Sequence, residues 1–362
     1  MSVSAPVYIS GTNTFVPAAT GQAIAYVRNP AKFKINRYCQ IVRAPKPVVL
    51  YAFLDPDEPV RVVTDQEYDW PDGQPRPRPQ ANVGNFYWNE VRVFRRNYGY
   101  TVGEQALEAA EGFNPRAFFN AIMLSKAMTN LTQRVTTLLE TTANWGSNTG
   151  SAGTLNGEGV NWVGASNDES SASFLAIKRT LLAAVRNINL ATNGMVDPSD
   201  LKLVISPDLA LTIAETSEIH TYIEKSVWAL AQLRGDAPNQ NMYYNLPNSL
   251  YGLELVVEDA PRTTTRQVSA MTPATLAPVG GTGQKQYIKT GSIATIVSRV
   301  GGLDGQYGSP SFSTLQRYYY KYEMAIEARV KAWDKYTEAA CVDQFKEVLA
   351  APQSGYCITG CM

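Results

Sequence analysis

One long amphipathic segment, residues 114–143, constrains the fold more than any other part of the chain. Asn114 suits an N-terminal cap and Pro115 suits the first position of a helix. The apolar residues then recur at steps of three and four: Ala121, Leu124, Met128, Leu131, Val135 and Leu138. Such a helix is roughly 43 Å long at 1.5 Å per residue, so we expect it to lie across several other elements as a spine.

Length, charge and apolar content limit the class of protein. The chain has 362 residues, enough for two or more lobes, and its 32 basic residues balance its 32 acidic ones. The overall charge therefore gives no reason to expect nucleic-acid affinity. No apolar run reaches the roughly 18 residues of a membrane span, and the first residues lack the pattern of a secretory signal. We expect a protein that is made in a cytoplasm and has no membrane partner.

Positive charge is concentrated near the N-terminus. The first 54 residues contain no acidic residue and carry three Arg and three Lys, a formal charge of +6. Four prolines and the absence of a sustained helical period favour an extended arm over residues 1–46. A disordered tail is the alternative, although the arm has more apolar side chains than a solvated tail needs.

Residues 47–102 are rich in β-branched and aromatic residues and predict a long hairpin. Prolines at its tip prevent ladder pairing there. Seven acidic residues lie on the outgoing limb, residues 55–72, and five arginines lie on the return, residues 76–96. The opposite charges can pair across the hairpin or with another copy of the chain. A β-rich subdomain that packs on its own chain is the alternative.

Helix and strand patterns alternate after the spine. Trp145 and Trp162 are expected to anchor a glycine- and serine-rich loop. A second helix is predicted from Ser173 to a stop at Asn193-Gly194, and SPDLALTIAETSEIHTYIEKS predicts a third helix. The runs LKLVIS, GLELVVEDAP and GSIATIVSRV predict buried strands, so we expect a mixed α/β lobe over residues 172–299.

Near the C-terminus, residues 318–332 alternate between apolar and polar side chains. A period of two over this length predicts one strand roughly 50 Å long. We expect this strand to run along the spine helix and to bury the apolar stripe of the helix.

The residue types that carry chemistry are sparse. His220 is the single histidine, and no GxSxG motif accompanies it. The glycine-rich run at 280–285 lacks the spacing of a phosphate-binding loop. Cys357 and Cys361 have no histidine nearby, so an incidental reduced pair is favoured over zinc. We expect no catalytic residue, no metal ligand and no cofactor.

Three phrases and the order of parts resemble one family. LKLVISPDLALTIAET, YGLELVVEDAP and YKYEMAIEARVKAWDKYTEAACVDQFKEV are similar to segments of the tailed-bacteriophage major capsid protein, the Hong Kong 97-type coat fold. The resemblance covers roughly residues 25–350 and implies an α+β fold. Its parts are an N-terminal arm (1–46), an extended β-hairpin loop (47–102), a spine helix with the following loop (103–171), an axial lobe (172–299), and a peripheral lobe with the long strand and C-terminus (300–362).

The resemblance implies that the protein is structural and not an enzyme. Its copies would form the pentamers and hexamers of an icosahedral shell in the virion, assembled in the host cytoplasm around double-stranded DNA. The residues expected to contact neighbouring subunits are Asp65, Glu67, Asp69, Trp70, Arg76, Arg78, Arg28, Lys32, Lys34 and Arg37. Lys126 and Arg134, on the polar faces of the spine, are expected to face the DNA without reading its sequence.

The sequence departs from the family pattern in two places. Lys46 is the only lysine between Lys34 and Lys126, so we expect no covalent crosslink through the extended loop. No long helical segment precedes the arm, which suggests a separate scaffolding protein or none. Portal and decoration proteins are further expected partners. An encapsulin-type shell of the same fold is the nearest rival, and a soluble α/β enzyme is a remote one.

Overall fold

A computed structural model of the protein describes residues 28–53, 72, 87–103, 115–225, 246–263, 285–299, 313–331 and 336–362. The α-helices in these ranges are α1 (Ile35–Tyr38), α2 (Pro115–Glu140), α3 (Ala152–Asn156), α4 (Ala176–Ala191), α5 (Pro207–Ala214) and α6 (Ser217–Lys225). The strands are β1 (Gln40–Arg43), β2 (Val48–Phe53), β3 (Tyr87–Arg92), β4 (Phe94–Gly103), β5 (Thr149–Ser151), β6 (Leu201–Ile205), β7 (Ser249–Leu250), β8 (Leu253–Val257), β9 (Pro261–Thr263), β10 (Lys285–Tyr287), β11 (Ala294–Ser298), β12 (Leu315–Tyr319), β13 (Ala325–Lys331), β14 (Tyr336–Leu349) and β15 (Tyr356–Thr359).

The predicted spine helix is confirmed as α2, which has 26 residues and is therefore about 39 Å long. It begins at Pro115, as predicted, and ends at Glu140, three residues before the predicted end. The proposed cap, Asn114, lies outside the described residues. Two side chains from the turn that follows satisfy carbonyls of the last helical turn: Asn144 donates to Leu138 (3.0 Å) and the Trp145 indole donates to Leu139 (2.9 Å).

The buried face of α2 differs from the predicted stripe. Ala121 is exposed, Leu124 and Leu138 are half-buried, and Leu139 replaces Leu138 in the core. The residues that the rest of the protein covers are Ala127, Met128, Leu131, Thr132, Val135, Thr136 and Leu139. The core therefore forms along the second half of the helix. A wider face than one stripe is buried because the helix contacts both the N-terminal segment and the strands β4 and β14.

A five-stranded sheet lies beside the spine helix, and its central strand is β14. On one edge β14 pairs antiparallel with β4 over Tyr336 to Phe345; on the other edge it pairs with β12 and then β13. The sequence predicted neither the full length of β14 nor its place as the strand that contacts the spine helix.

The single strand predicted over residues 318–332 is wrong, because the chain bends between β12 and β13. Tyr319 pairs with Phe345 and Ala325 pairs with Val342. Residues 319–325 thus advance by six positions while their partners on β14, residues 345–342, advance by three. The extra residues are not paired in the sheet and form the bend. Met324, in that bend, has a φ of 52°. A period of two in the sequence cannot reveal where a partner strand forces such an insertion.

A six-stranded sheet, in the order β5-β15-β11-β6-β8-β7, forms the second centre of the fold. The three predicted strands are confirmed as β11, β6 and β8, and β6 and β8 are parallel. The sheet also takes β5 and β15, which lie outside residues 172–299. Apolar side chains of α4, α5 and α6 pack on one face of this sheet, and the spine helix packs on the other.

The helices of this lobe follow the predicted order with one break. The second predicted helix is confirmed as α4, after a short 3₁₀ turn, and both Asn193 and Gly194 adopt positive φ at its end. Ser206 caps α5 by accepting from the Leu209 amide at 3.1 Å. The third predicted helix is two helices, because the chain turns between α5 and α6, where the Thr216 hydroxyl donates to the Ile213 carbonyl (2.7 Å).

The N-terminal segment takes a different form from the extended arm that the sequence favours. Residues 28–43 contain a 3₁₀ turn, α1 and then β1, which pairs parallel with β12. Phe33, Ile35 and Tyr38 are buried in the core cluster that contains the spine helix. This part of the arm is therefore an integral part of the chain's own fold.

The described residues also test the predicted tryptophan anchors and the state of the cysteines. The anchors Trp145 and Trp162 are confirmed as fully buried side chains. All four cysteines are free and buried. Among the described residues, no helix is both long enough and apolar enough to cross a membrane. Most of the predicted loop, including its proline-rich tip, lies outside the described residues, and Asp72 is described only as part of a turn.

Candidate assembly surface

Arg134, which the sequence suggested as a DNA contact, is bound to carboxylates of β14. Its guanidinium donates to Glu347 from Nε and Nη2 (3.1 and 2.8 Å), and Nη2 lies 3.5 Å from Asp343. The Asp343 side chain is fully buried and that of Glu347 is 4% exposed. From β4, Arg96 also reaches Asp343 (3.5 Å) and donates to the Phe345 carbonyl (2.9 Å). These groups connect the spine helix to β4 and β14.

The electrostatics of this cluster favour a structural role for Arg134. Burial raises the pKa of Asp343, and the positive charges of Arg134 and Arg96 oppose that rise. Burial acts to lower the pKa of Arg134, but its hydrogen bonds to Glu347 and the nearby negative charges raise the pKa overall. A guanidinium that compensates two buried carboxylates cannot leave them without a large cost. Arg134 therefore has a structural role within the chain, and its contact with DNA stays a prediction.

Lys126 has an exposed side chain on a polar face of the spine helix. The same face carries the amides of Asn130 and Gln133, and the Gln133 carbonyl oxygen accepts from Arg262 at 2.9 Å. The helix contains no acidic residue before Glu140, its last residue. Cations and neutral amides without carboxylates form a surface that does not repel phosphate groups.

Two arginines that were predicted to contact a neighbouring subunit form ion pairs within the chain. Arg28 pairs with Asp259 and also donates to the Asp259 carbonyl at 3.0 Å. Arg37 pairs with Glu254 at 2.7 Å, and Lys202 reaches the other oxygen of that carboxylate at 2.6 Å. Burial acts to raise the pKa of Glu254, but these two cations hold it below its usual value. The basic N-terminal segment thus lies against acidic residues in and just after β8.

A buried hydrogen bond strengthens the same contact. Tyr38 of α1 donates to the Glu258 carboxylate at 2.9 Å, and both side chains are fully buried. The other Glu258 oxygen accepts from the Ala260 amide at 3.3 Å. Burial raises the pKa of Tyr38 and that of Glu258. Sequence patterns gave no signal for this pair, because its partners are 220 residues apart.

The other residues predicted to contact neighbours remain predictions. Lys32 is exposed and Lys34 is half-buried. The loop residues in this group lie outside the described residues: Asp65, Glu67, Asp69, Trp70, Arg76 and Arg78.

The base of the predicted loop is present as an antiparallel pair, β2 and β3. Val49 and Val91 on one side of this pair are buried in a cluster with residues of β1 and β12. On the other side Val48 and Leu50 are 42% and 52% exposed. A two-stranded ladder with apolar side chains on its open face is typical of a surface that another chain covers.

The helices of the second lobe also carry exposed apolar side chains, which the sequence interpretation missed. Leu182 and Leu190 of α4 are 48% and 67% exposed, and Leu211 of α5 is 49% exposed. The available signal was the regular alternation of leucine and arginine along the outer face of α4.

The histidine and the cysteines, which the sequence offered as candidates for chemistry, have the following surroundings. His220 is exposed on α6, and no cluster of three or more His, Cys, Asp or Glu side chains in the described ranges is placed to hold a metal ion. Burial raises the pKa of Cys39 and of Cys361 to about 12 and that of Cys341 to about 11. These thiols are protonated at neutral pH and are poor nucleophiles.

Lys289 is the one fully buried lysine of the described residues, and its surroundings indicate a structural contact. Its Nζ lies 3.5 Å from Glu140, at the end of the spine helix. The same carboxylate accepts from the amide and hydroxyl of Thr290 (2.6 and 2.9 Å). Burial lowers the pKa of Lys289. The hydrogen bonds between Thr290 and Glu140 hold the end of the spine helix to the segment before β11.

Comparison with known proteins identifies the fold. No family model and no curated protein matches the chain. Among solved structures, the chain is similar to a phage-related protein of Bordetella bronchiseptica RB50, with a TM-score of 0.55 and 12% identity over 91% of this chain and 92% of that one. It is also similar to the capsid of the cyanophage P-SCSP1u, with a TM-score of 0.55 and 10% identity over 94% and 90% of the two chains. The mature capsid of bacteriophage PhiM1 matches with a TM-score of 0.51 and 10% identity over 93% and 89%.

At these identities the likeness shows the fold. The chain has an α+β fold that it shares, over nine tenths of its length, with phage capsid structures. The resemblance inferred from the three sequence phrases and the order of parts is thereby confirmed at the level of the fold.

Proposed function

We propose that this chain is the major capsid protein of a tailed bacteriophage. In this role it assembles with itself into the pentamers and hexamers of an icosahedral shell that encloses double-stranded DNA. The observation that carries the proposal is the fold shared with the P-SCSP1u and PhiM1 capsids over nearly the whole chain. The protein acts in the virion, after assembly in the host cytoplasm, and its role is structural and not enzymatic. Scaffolding, portal and decoration proteins are its further partners.

The parts of the chain are assigned to a Hong Kong 97-type coat as follows. Residues 1–46 are the N-terminal arm and residues 47–102 the extended loop. Residues 103–171 and 300–362 are the peripheral lobe, and residues 172–299 are the axial lobe. The antiparallel base of the loop and the 26-residue spine helix support this assignment. Four strands of the six-stranded sheet lie within residues 172–299, and β5 and β15 join that sheet from the segments on either side.

The extended loop is proposed to lie over a neighbouring subunit. Its contact residues are Asp65, Glu67, Asp69, Trp70, Arg76 and Arg78. Exposed Val48 and Leu50 at the base of the loop support an apolar contact that continues from the chain's own fold to the neighbour. Exposed ion pairs contribute only about 0 to 1 kcal/mol each, so the charges set the register while apolar burial supplies more of the affinity.

The polar face of the spine helix is proposed to face the packaged DNA without reading its sequence. Lys126 remains a candidate, and Arg262 joins it through its hydrogen bond to the same helix face. Contacts of this kind weaken with rising salt, because each phosphate neutralised releases counterions.

Electron microscopy of the full chain, expressed alone and also with a co-expressed phage scaffolding protein, tests the proposal. We expect closed shells, tubes, or five- and six-membered rings, with a matching early elution in size-exclusion chromatography. A protein that stays monomeric in both preparations at high concentration overturns the proposal. Shells isolated from the cells that naturally make the protein point instead to an encapsulin-type shell if they contain protein cargo and no nuclease-protected DNA. Arg76→Glu with Arg78→Glu is expected to reduce shell yield, and Lys285→Glu is a control outside the loop.

A further inference from the structure

The outer face of α4 is an unusual stripe of apolar and cationic side chains. Its members recur at steps of three and four and are all exposed: Arg179, Leu182, Arg186 and Leu190. No acidic residue occurs between Glu169 and Asp197. The stripe therefore combines exposed leucines with positive charge only.

A second exposed stripe, on α5 and its C-terminal cap residue Glu215, has the opposite charge. Asp208, Leu211 and Glu215 are all exposed, and the segment between Lys202 and Lys225 contains no Lys or Arg. The C-terminal Met362, 43% exposed, lies against Thr212 and extends the apolar part of this stripe.

The two stripes match each other position by position. On α4 the order is Arg179, Leu182, Arg186, and on α5 it is Asp208, Leu211, Glu215. Both sets have the spacing i, i+3, i+7, which places their members on one side of a helix. When two such helices lie side by side, leucine can meet leucine while each arginine meets a carboxylate. This order gives both apolar burial and charge complementarity.

One copy of the chain does not bring these stripes together. Helix α4 contacts α3 and β15, and its first turn also contacts α6, whose Glu218 accepts from the amides of Ile177 and Lys178 (2.9 and 2.8 Å). In the described residues, no ion pair joins a member of one stripe to a member of the other. The side chains of Arg186 and Glu215 form no ion pair with any described residue. Arg179 pairs with Glu158 at 2.6 Å, a partly exposed contact that it can share with a second carboxylate.

We propose that α4 of one copy packs against α5 of the next copy in a ring, with Leu182 on Leu211 and Arg186 on Glu215. This inference rests on the proposed function and specifies the contact within each pentamer or hexamer. Two different faces of the same chain meet, so the contact is heterologous and repeats from copy to copy until a ring closes. The partner is thus a second copy of this chain.

Charge exchange tests the polar part of the contact. Full-length Arg186→Glu and Glu215→Arg are each expected to reduce the fraction of protein in rings or shells by about tenfold, because like charges then face each other. The double variant restores the pair and is expected to recover most of the wild-type assembly. Glu224→Arg, an equivalent change of an exposed acid on α6, is the matched control: alone it leaves assembly unchanged, and it does not rescue Arg186→Glu.

Disulfide trapping tests the apolar part and the symmetry. The Leu182→Cys/Leu211→Cys variant is expected, after mild oxidation, to give a ladder of crosslinked species that ends at five or six subunits. Each single cysteine variant lacks its partner and is expected to give no ladder. The four native cysteines are buried, so they do not compete in the folded protein.

The outcomes separate this inference from the proposed function. Wild-type protein that assembles while the charge exchange has no effect, or a double cysteine variant that stops at dimers, overturns the contact and leaves the capsid function standing. Wild-type protein that never assembles, with or without a scaffolding protein, overturns both. Circular dichroism of each monomeric variant verifies that the surface changes leave the fold intact.

Discussion

Replacing Arg134 with alanine should destabilise the folded chain strongly. The change leaves Glu347, 4% exposed, without the guanidinium that donates to it twice, and removes one of two cations from the buried Asp343. Breaking a buried ion pair by removing one partner costs about 3–5 kcal/mol. Arg134 is itself 24% exposed and Asp343 keeps Arg96, so we expect the lower end, a loss of about 3 kcal/mol of unfolding free energy near neutral pH.

The loss should become smaller as the pH falls. Burial already raises the pKa of Asp343, and Arg134 opposes that rise, so the variant raises the pKa of Asp343 further. A carboxyl whose pKa is higher in the folded state binds its proton more tightly there. Its contribution favours folding at low pH and is lost as the pH rises from the unfolded-state pKa through the folded-state pKa. The difference between wild type and variant is therefore smaller at pH 5 than at pH 7.5.

Urea unfolding of dilute, unassembled protein measures this prediction, with the fluorescence of buried Trp145 and Trp162 as the signal. Arg95→Ala is the matched control: Arg95 pairs with Glu327 at 3.1 Å, but both side chains are about half exposed, so the expected loss is about 0–1 kcal/mol. Arg134→Met with Glu347→Met replaces the pair by apolar side chains and should recover much of the stability.

Two results would refute this reasoning. One is an Arg134→Ala loss no larger than that of Arg95→Ala, which would mean that water screens the cluster as it does a surface pair. The other is a loss that stays constant or grows between pH 7.5 and pH 5, which would contradict the direction of the Asp343 pKa shift.

Three further perturbations probe other buried contacts, each by urea unfolding of the unassembled chain. Lys289→Met removes a buried amine. Burial lowers the pKa of Lys289, which means that the charged form of this side chain opposes folding at neutral pH. We therefore expect equal or higher stability of the variant, and a loss of more than about 1 kcal/mol would contradict this. Tyr38→Phe removes the one side chain that donates to the buried Glu258 carboxyl in the described residues, leaving only the Ala260 amide, and should cost about 1–3 kcal/mol. That cost should be greater at pH 8 than at pH 5, because protonation at low pH removes the buried charge; the reverse trend would exclude this explanation. Gly355→Ala would place a Cβ 2.6 Å from a backbone oxygen of β11 and should cost about 1–3 kcal/mol or more, whereas Gly103→Ala meets nothing within 4 Å and should be nearly neutral.

The elements that the sequence predicted well are those whose signals are local. The spine helix has a proline at its first position and a long apolar period, and α4 has a period with an Asn-Gly stop. The strands β6, β8 and β11 are short apolar runs between turn signals. Each of these patterns is complete within about 30 residues, so it can be recognised without knowledge of the partner that the element packs against.

The details that the sequence missed depend on distant partners. The run over residues 318–332 has a strand period, yet it is two strands, because its position along β14 requires a bend. In the same way, the helical period places Arg134 on a polar face of the spine helix, but its ion-pair partner Glu347 is 213 residues away in the sequence. The charges in the outer part of the extended loop lie outside the described residues, so their pairing stays a prediction.

The sequence by itself determined the long helix, the alternation of helices and strands after it, and the absence of a recognisable catalytic motif. Tertiary structure alone decided which charges are buried, which apolar side chains stay exposed, and how β15 enters the sheet beside β11. The physical reason is that helix and strand periods arise from neighbouring residues, whereas burial and charge pairing depend on segments that meet only after the chain has folded. The exposed, oppositely charged stripes of α4 and α5 are an example of what tertiary structure decides. Only the folded chain shows which of their residues the core leaves exposed.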